Sequence, residues 1–390
     1  MDRRSFLTGA GVLTVGVVGG GVWRAYDQGV FSVGDGPAYQ PWKDWRTDSA
    51  NGPLALVRAA ILAASPHNTQ PWLFKVSNSS IELYIDTGRN VGALDPYLRE
   101  EHIGMGCALE NLMLAAAAQG YQAAITFLPG NILSDQTPKL LARVDLQPGI
   151  RQRSELYDAI PHRHTNRAPY SPQKPLPAEF IETLTRLVAD ESNVKIFPIQ
   201  VEADRKKIVS ISSAANSEIY SDPAVVRASD RWIRIKWTQV QKLRDGLTID
   251  AFGLPPLDTA IAKMMPLWML RWSGSHGPKN GYSNLMLSAP LIGIICVRDR
   301  YDQEQCLRAG RIWQRAHLLA TARGVAGRPC NEAVEMIDYE KAHERTPTRS
   351  ALIGELIGDV TWQPTFVFYM GYPTLAAHAS PRRWVENVIV

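Results

Sequence analysis

A short basic segment carries residue types that bind phosphate. Residues 162–169 read HRHTNRAP and place four donors close together: Arg163, His164, Thr165 and Arg167. Arginine offers phosphate two parallel N–H donors, and a hydroxyl and an imidazole add more. The segment is a candidate phosphate cradle, to which Arg382 and Arg383 add charge from a distant part of the chain. A solvated basic turn and a solvated tail fit the same residues.

A polar loop is predicted at a junction between a helix and a strand. Residues 65–72 read SPHNTQPW and follow a predicted helix that ends near Ala64. Prolines on both sides restrict the backbone. The amides of Asn68 and Gln70 each offer a donor and an acceptor. Both are needed for hydrogen bonds to the polar edge of a heteroaromatic ring. An amide-capped turn is the alternative, since Asn and Ser are common in turns.

Both segments resemble motifs of the nitroreductase family. Residues 65–72 resemble its PSxxNxQPW loop, and residues 163–167, RHTNR, resemble its RxSxR or RHSxK phosphate motif. Residues 371–373 and the Arg-Arg pair after them resemble its GYP strand end and basic C-terminal segment. The forms HNTQPW and RHTNR, with the doubled length, are most similar to the Acg branch. The resemblance extends from about Leu54 to the C-terminus.

The resemblance implies an α+β fold, a nitroreductase-like sandwich, with flavin mononucleotide (FMN) as cofactor. Family members are usually homodimers with FMN in two interface sites, each built from the phosphate motif of one subunit and the QPW loop of the other. In this chain the first half carries the loop and the second half carries the phosphate motif. The resemblance therefore implies two tandem half-repeats that form an intramolecular pseudo-dimer with one intact flavin site.

Cofactor-binding residues follow from the resemblance one by one. The phosphate is assigned to Arg163, His164, Thr165 and Arg167, with Arg382 or Arg383 as a second clamp. The ring or the ribityl chain is assigned to Ser65, Asn68 and Gln70.

A later loop is assigned to the flavin ring. Pro329, Cys330 and Asn331 fall where family members pass backbone over the isoalloxazine, so their amides are expected to tune flavin N5. The family has no catalytic cysteine, so we interpret Cys330 as a packing residue and not as a reactive thiol.

The implied activity is that of an oxidoreductase which passes electrons through FMN to a small aromatic or quinone-like acceptor. In this family catalysis is largely the cofactor's, so no side chain is assigned as catalytic. The alternative is an FMN-binding or flavin-sequestering protein with little or no turnover.

A repeated helix supports the two-half organisation. Residues 106–121 and 310–325 have apolar residues at helical spacing, each with a glycine near its end, and share five identities in sixteen positions. Strands are predicted at Ile81–Ile85, Leu291–Val297 and Thr365–Met370. The halves are predicted at 40–150 and 151–390. Chance similarity between Ala/Leu-rich helices is the alternative.

An aromatic-rich stretch at about 222–283 is predicted to be an insertion in the second half. It contains a Gly/Pro-rich turn at 253–256 and four tryptophans: Trp232, Trp237, Trp268 and Trp272. It is interpreted either as a lid over the flavin or as an amphipathic helix pair whose tryptophans are core. Charged residues at 231–244 and at Glu100-Glu101 are expected to be solvated.

The first 24 residues have the order of an export signal. Arg3 and Arg4 precede an uncharged, Gly-rich stretch from Ser5 to Trp23, which resembles a bacterial twin-arginine signal. A membrane anchor is the alternative. The expected location is periplasmic or otherwise exported, with the twin-arginine machinery as a partner and a membrane contact only if the segment is retained. Because nicotinamide cofactors are cytoplasmic, an exported enzyme would need another electron donor.

Composition disfavours other classes of function. The formal charge is +4, from 42 Lys and Arg against 38 Asp and Glu, and no long basic run appears, so we expect no nucleic-acid partner. The eight histidines and four cysteines show no metal-ligand spacing, so no metal is predicted. The sequence has no GxGxxG or P-loop motif, so a nicotinamide would dock on the flavin without its own Rossmann domain.

Overall fold

Two four-stranded antiparallel sheets form the framework in the computed structural model, which describes residues 21–46, 52–133, 137–266, 269 and 281–390. A first central helix, Arg99–Gln119, packs on the first sheet, and a second, Gln303–Ala322, packs on the other. The two helices contact each other along their lengths. Helices and sheets thus bury their apolar faces against one another, and the predicted α+β class is confirmed.

The first sheet has the strand order β1-β2-β4-β3. Its strands are β1 (Trp72–Val76), β2 (Ser80–Ile85), β3 (Tyr121–Phe127) and β4 (Lys139–Pro148). Gly120, with φ of 85°, ends the first central helix, and β3 starts at the next residue. A left-handed conformation at this position is one that glycine adopts without a steric penalty.

The second sheet has the strand order β5-β8-β10-β9. Its strands are β5 (Val194–Ile199), β8 (Leu291–Val297), β9 (Ala326–Pro329) and β10 (Gln363–Gly371). Both sheets therefore follow one chain path, in which two strands, a long helix and two more strands give the same neighbour order. The second differs by the long connection between β5 and β8.

The central helices cross at a pair of glycines. A Cβ on Gly106 would lie 2.0 Å from the Leu307 carbonyl oxygen, and a Cβ on Gly310 would lie 2.0 Å from that of Ile103. Each would also lie 2.9 Å from the other glycine's Cα. The two contacts mirror each other, so the crossing is locally twofold symmetric. Gly106 and Gly310 are equivalent positions of the predicted repeat.

The C-terminal residues return to the first sheet. The Phe74 amide of β1 donates to the Val388 oxygen at 2.7 Å, and the Val390 amide donates to the Phe74 oxygen at 2.9 Å. The end of the predicted second half thus covers the free edge of the first half's sheet. This also brings Arg382 to the loop that follows Ala64.

Shorter helices surround this framework. They are Gln40–Asp44, Pro53–Ala60, Glu155–Ala159, Ala178–Arg186, Glu202–Ile219, Pro223–Asp230, Trp237–Leu243, Pro256–Met264, Gly281–Leu287, Glu332–Ala342 and Thr348–Ile357.

The aromatic-rich stretch packs against the first half. It contains the two-residue strands β6 (Ile233–Arg234) and β7 (Leu247–Thr248), which pair in parallel. Trp232 is buried with Val91 and Leu94, and its indole N–H donates to the Asn90 oxygen at 2.9 Å. Trp237 is half-buried, and Trp268 and Trp272 lie outside the described residues.

Part of the charged face predicted at 231–244 is buried. Arg234 is 7% exposed and forms an ion pair with Asp245 at 2.7 Å, so the expectation of a solvated face is wrong at this residue. A paired guanidinium can be buried where an isolated one is costly.

The predicted export signal falls mainly on residues 1–20, outside the described residues. Within the ranges that the structure does describe, no helix has the length and apolar character needed to span a bilayer.

Candidate functional site

One cavity of about 330 Å³ gathers side chains from both sheets, the insertion and the C-terminal segment. Ten of the twelve predicted cofactor-binding residues line it: Ser65, Asn68, Arg163, His164, Thr165, Arg167, Pro329, Cys330, Asn331 and Arg382. Gln70 and Arg383 do not line it. The volume lies within the range of pockets that hold small molecules and cofactors.

The loop of residues 65–72 has a constrained backbone. Pro66–Asn68 forms a 3-10 turn, and His67, Asn68 and Gln70 have positive φ angles of 44°, 57° and 51°. Non-glycine residues adopt this region at an energetic cost, and such conformations cluster at ligand sites. The Gln70 amide N–H donates to the Ser65 hydroxyl at 3.1 Å, which holds the loop closed.

The amides of this loop are bonded to protein groups. The Asn68 side chain donates to the oxygens of Gly246 at 3.1 Å and Pro381 at 2.9 Å, and it accepts from Arg382. The Gln70 side chain donates to the Arg244 oxygen at 2.8 Å and accepts from the Arg383 amide at 2.8 Å. Gln70 therefore ties the loop to the C-terminal segment, in place of the predicted contact with a ring.

Arg163 and Arg382 are buried in the cavity, and neither is paired with a carboxylate among the described residues. Each is 2% exposed, and neither forms an ion pair with any described residue. Arg163 donates to the Leu62 oxygen at 3.1 Å and Arg382 to the Ala63 oxygen at 3.1 Å, but the Nε of each has no partner among described groups. Burial and their mutual repulsion lower the pKa of Arg382 well below its usual range.

The charges of Arg163 and Arg382 are not compensated by the described residues. Two guanidiniums removed from water and placed near one another are unfavourable unless an anion compensates them. The cavity wall that they form is therefore suited to a dianionic group such as a phosphate.

Neutral imidazoles accompany the two arginines. The His164 ring packs edge-on against Trp42, with ring centroids 4.7 Å apart, and burial lowers the pKa of His164 to about 3. The Arg163 guanidinium lies 3.3 Å from Nδ1 of His317, which accepts only when that nitrogen is unprotonated. Burial lowers the pKa of His317 well below its usual range. Both rings are therefore uncharged at neutral pH.

Arg167 makes its contacts elsewhere in the cavity. Its guanidinium donates to the Ala251 oxygen at 3.1 Å, and Arg328 donates to the Arg167 oxygen at 3.5 Å. Burial, followed by the nearby Arg328 charge, lowers the pKa of Arg167 to about 10. Arg167 thus lies beside Arg328, a further cation of the cavity that was not among the predicted site residues, and apart from Arg163 and Arg382.

Cys330 has the surroundings of a packing residue. It is 2% exposed, its sulfur lies 3.2 Å from the Tyr282 hydroxyl and 3.5 Å from the Met286 sulfur, and burial raises its pKa well above the usual range. Its backbone N–H donates to the Val367 oxygen at 2.9 Å and is therefore already bonded. A protonated thiol is a poor nucleophile.

Three carboxyl groups in the cavity were missed by sequence reasoning: Glu100, Glu332 and Glu335. Glu100 and Glu101 were expected to be a solvated helix start, but they are only 6% and 0% exposed, so that expectation is wrong. The Asp95 carboxylate accepts their backbone N–H groups at 2.9 Å and 3.1 Å and caps the helix inside the protein. The sequence signal for two of them was that Glu332 and Glu335 follow the predicted loop of Pro329, Cys330 and Asn331 and are three residues apart, which places them on one face of a helix.

The insertion covers part of the cavity. Ser229, Ile233, Leu247 and Phe252 line it. Gly253, with φ of 71°, approaches so closely that a Cβ there would lie 2.3 Å from the Ala168 nitrogen. The insertion therefore rests directly on the end of the RHTNR segment.

Relatives among known proteins are similar over most of the chain. NAD(P)H nitroreductase Rv3131 of Mycobacterium tuberculosis, a provisional name, is 27% identical over 338 residues, which are 85% of this chain and 88% of that protein. The protein named acg, from the same organism, is 31% identical over 146 residues, which are 36% of this chain and 41% of its own length. No family model matches. The resemblance read from the motifs is thus confirmed as sequence similarity.

Solved structures give a weaker likeness. The FMN-dependent nitroreductase NfnB from Mycobacterium smegmatis, in complex with NADPH, covers 60% of this chain and 96% of its own, with 13% identity and a TM-score of 0.38. A nitroreductase with bound FMN from Bacteroides fragilis covers 59% and 95%, with 14% identity and a TM-score of 0.34.

Proposed function

We propose that this protein is an FMN-dependent oxidoreductase of the nitroreductase type, which passes electrons to a small aromatic or quinone-like acceptor. The observation that carries the proposal is the buried, uncompensated pair Arg163 and Arg382 beside the loop of residues 65–72. The relative named NAD(P)H nitroreductase, similar over 85% of the chain, supports the reaction class.

The phosphate of FMN fits the arginine wall of the cavity. Arg163 and Arg382 would hold its oxygens, with the neutral His164 ring and the Thr165 hydroxyl as further donors. The partnerless Nε atoms of the two arginines are the donors that such a group would satisfy. When bound, FMN supplies two electrons and a proton as a hydride to the acceptor.

The rest of the cavity orients the ring and excludes water. Arg167 and Arg328 add positive charge that would favour an electron-rich ring, and Pro329 brings β9 to the cavity. The apolar side chains of Ile233, Leu247 and Phe252 cover the site. Removing water strengthens every electrostatic interaction inside the cavity.

The site combines parts of both halves, and we infer a fused pseudo-dimer with a single flavin site. The loop comes from the first half, and the RHTNR segment and the C-terminal arginine come from the second. The repeated strand order and the mirrored glycine contacts support this inference. The expected stoichiometry is one FMN per chain.

A flavin-sequestering protein with little turnover is the second candidate. The close contact between Gly253 and Ala168 favours it, because an insertion seated this tightly would limit access for a large acceptor. The two candidates share the cofactor and differ in whether an electron donor and an acceptor reach it.

Export is the remaining part of the proposal. The Arg3-Arg4 pair and the uncharged stretch from Ser5 to Trp23 support a periplasmic or otherwise exported protein that leaves the cytoplasm through the twin-arginine machinery. A membrane tether follows only if this stretch is retained.

The absorption spectrum of the purified protein tests the proposal. Flavin absorbance is expected after expression in flavin-replete cells, and a colourless protein would overturn the cofactor assignment. Anaerobic bleaching by NADPH, followed by reoxidation with a nitroaromatic or a quinone, supports the oxidoreductase. Bleaching by dithionite alone, without reoxidation by either acceptor, supports sequestration.

A further inference from the structure

Glu335 places a buried carboxyl oxygen in the cavity that has no partner among the described residues. Glu335 lies in the first turn of the helix Glu332–Ala342, which begins directly after the cavity residue Asn331. Its side chain lines the cavity, the residue is 7% exposed, and its Oε2 has no hydrogen-bond partner. Among the described residues none forms an ion pair with it. A carboxyl in this setting is far more stable protonated than ionised.

The groups that face Glu335 reinforce its protonated form. Glu100 and Asp95 approach from the first central helix and its start, Glu332 from the same first turn of its own helix, and Tyr220 from the end of the helix Glu202–Ile219. These groups are acidic or neutral. Burial, followed by the Glu100 charge, raises the pKa of Glu335 well above its usual range.

The nearby cations are committed to other groups. Arg99 is fully buried, and its Nε donates to Asp338 at 2.7 Å while a terminal nitrogen lies 3.3 Å from Glu100. Arg300 also bonds Asp338, at 3.0 Å. Neither arginine forms an ion pair with Glu335 among the described residues, and the Arg99 charge only partly offsets the burial that raises the pKa of its carboxyl.

We propose that Glu335 is the proton donor to the electron acceptor in this cavity. This inference rests on the proposed function and identifies the acceptor as a class that takes up protons at oxygen, such as a quinone. Reduction of a quinone to a hydroquinone takes up two electrons and two protons. A hydride supplies both electrons and one proton, so a second proton must come from another donor. The Glu335 O–H bond breaks and an O–H bond forms on the acceptor oxygen.

The resulting carboxylate takes its proton back from water. Glu332 lines the same cavity three residues earlier on the helix and is partly exposed, which provides a polar route towards solvent. Because a hydroquinone leaves and a carboxylic acid is restored, each turnover consumes one proton from solution through Glu335. Acceptor reduction should therefore slow as the pH rises through the pKa of Glu335.

Infrared spectroscopy tests the protonation without any flavin chemistry. At neutral pH the difference spectrum between the wild type and Glu335→Gln should contain the carbonyl band of a protonated carboxylic acid. The exposed Glu355→Gln variant is the matched control and should show no such difference. Absence of the band in the Glu335→Gln difference would overturn the proposal, whether or not flavin is bound.

Rapid mixing of the reduced, flavin-loaded protein with an uncharged quinone tests the donor role. Glu335→Gln should slow reoxidation by at least about 100-fold and remove its dependence on pH, and Glu335→Asp should restore part of the rate. The Glu355→Gln variant should react at the wild-type rate. A flavin-loaded Glu335→Gln protein with unchanged rate and pH profile would overturn the donor role alone, whereas a flavin-free wild type would overturn the proposed function and the donor role with it.

Discussion

Unpaired buried arginines are the most informative residues of this site. Among the described residues Arg163 and Arg382 bond neutral groups alone, although each guanidinium has five donors. A protein that buries such charges sacrifices stability unless a ligand compensates them. Removing one of these charges should therefore lower the affinity for an anion, and it should not lower the stability of the ligand-free protein.

The Arg163→Met variant tests both expectations. Its affinity for FMN should fall by about 10- to 100-fold, because one charge-assisted set of phosphate bonds is lost. The free energy of unfolding of the flavin-free protein should stay constant or rise, because an uncompensated buried charge is replaced by an apolar chain. FMN fluorescence titration and urea unfolding measure the two quantities.

The exposed Arg151→Met variant is the control for this experiment and should change neither quantity appreciably. Wild-type affinity for FMN in the Arg163→Met protein would show that the phosphate lies elsewhere.

At the scale of the elements, the crossing of the two central helices decides how the halves meet. Gly106 and Gly310 allow the backbones to approach until each glycine lies against a carbonyl oxygen of the other helix. Glu110 then pairs with Arg311 at 2.8 Å and with Arg315 at 2.7 Å. The close crossing thus aligns the polar groups beside it.

The Gly106→Ala variant should disrupt this crossing. A methyl group 2.0 Å from the Leu307 oxygen cannot be accommodated without moving a helix, so a loss of at least about 3 kcal/mol is expected, or failure to fold. Thermal and urea unfolding measure the loss.

The same substitution at Gly281, where a Cβ would meet no atom of the described residues within 4 Å, is the matched control and should be tolerated. If both variants were equally stable, the helices would not be in contact at Gly106.

At the scale of the whole molecule, both four-stranded sheets have the same strand order, and the C-terminal residues pair with the first sheet. The interior that results holds several histidines without charge. Burial lowers the pKa of His67 and of His102 to about 4 each, and that of His164 to about 3. These groups bind protons more readily in the unfolded chain than in the folded one.

Acid should therefore destabilise the protein through these histidines. Their contribution is complete above the unfolded pKa of about 6.5 and is lost as the pH falls towards 4. For His102 alone the loss approaches about 3 kcal/mol at pH 4, so a His102→Gln variant should show a flatter decline. Urea unfolding at a series of pH values between these limits measures the difference.

The exposed His378→Gln variant should decline as the wild type does. Buried carboxyls change in the opposite sense, since burial raises the pKa of Asp95 to about 7, and that contribution is lost as the pH rises. An equally steep acid decline in the His102→Gln protein would contradict the prediction.

Local sequence patterns predicted helices and strands because the formation of these elements depends on residues that are close in the sequence. Helical spacing that ends in glycine predicted both central helices. Alternating apolar residues predicted β2, and runs of residues that favour strands predicted β8 and β10. The loop of residues 65–72 and the RHTNR segment were visible as motifs because their donors are adjacent in sequence. Burial of Glu100 and Glu101 was not predictable, since a carboxyl pair at a helix start is normally solvated and only the packing of the two halves encloses it here.

The sequence by itself determined the two central helices, the strands β2, β8 and β10, the offset of the repeat and ten of the residues that line the cavity. Only the tertiary structure decided that Arg382 meets Arg163, that Gln70 holds the C-terminal segment, and that Glu335 faces the same cavity without a partner. The physical reason is distance along the chain. Contacts between residues tens to hundreds of positions apart depend on how helices and sheets pack, and no local spacing encodes whether a buried charge finds a partner.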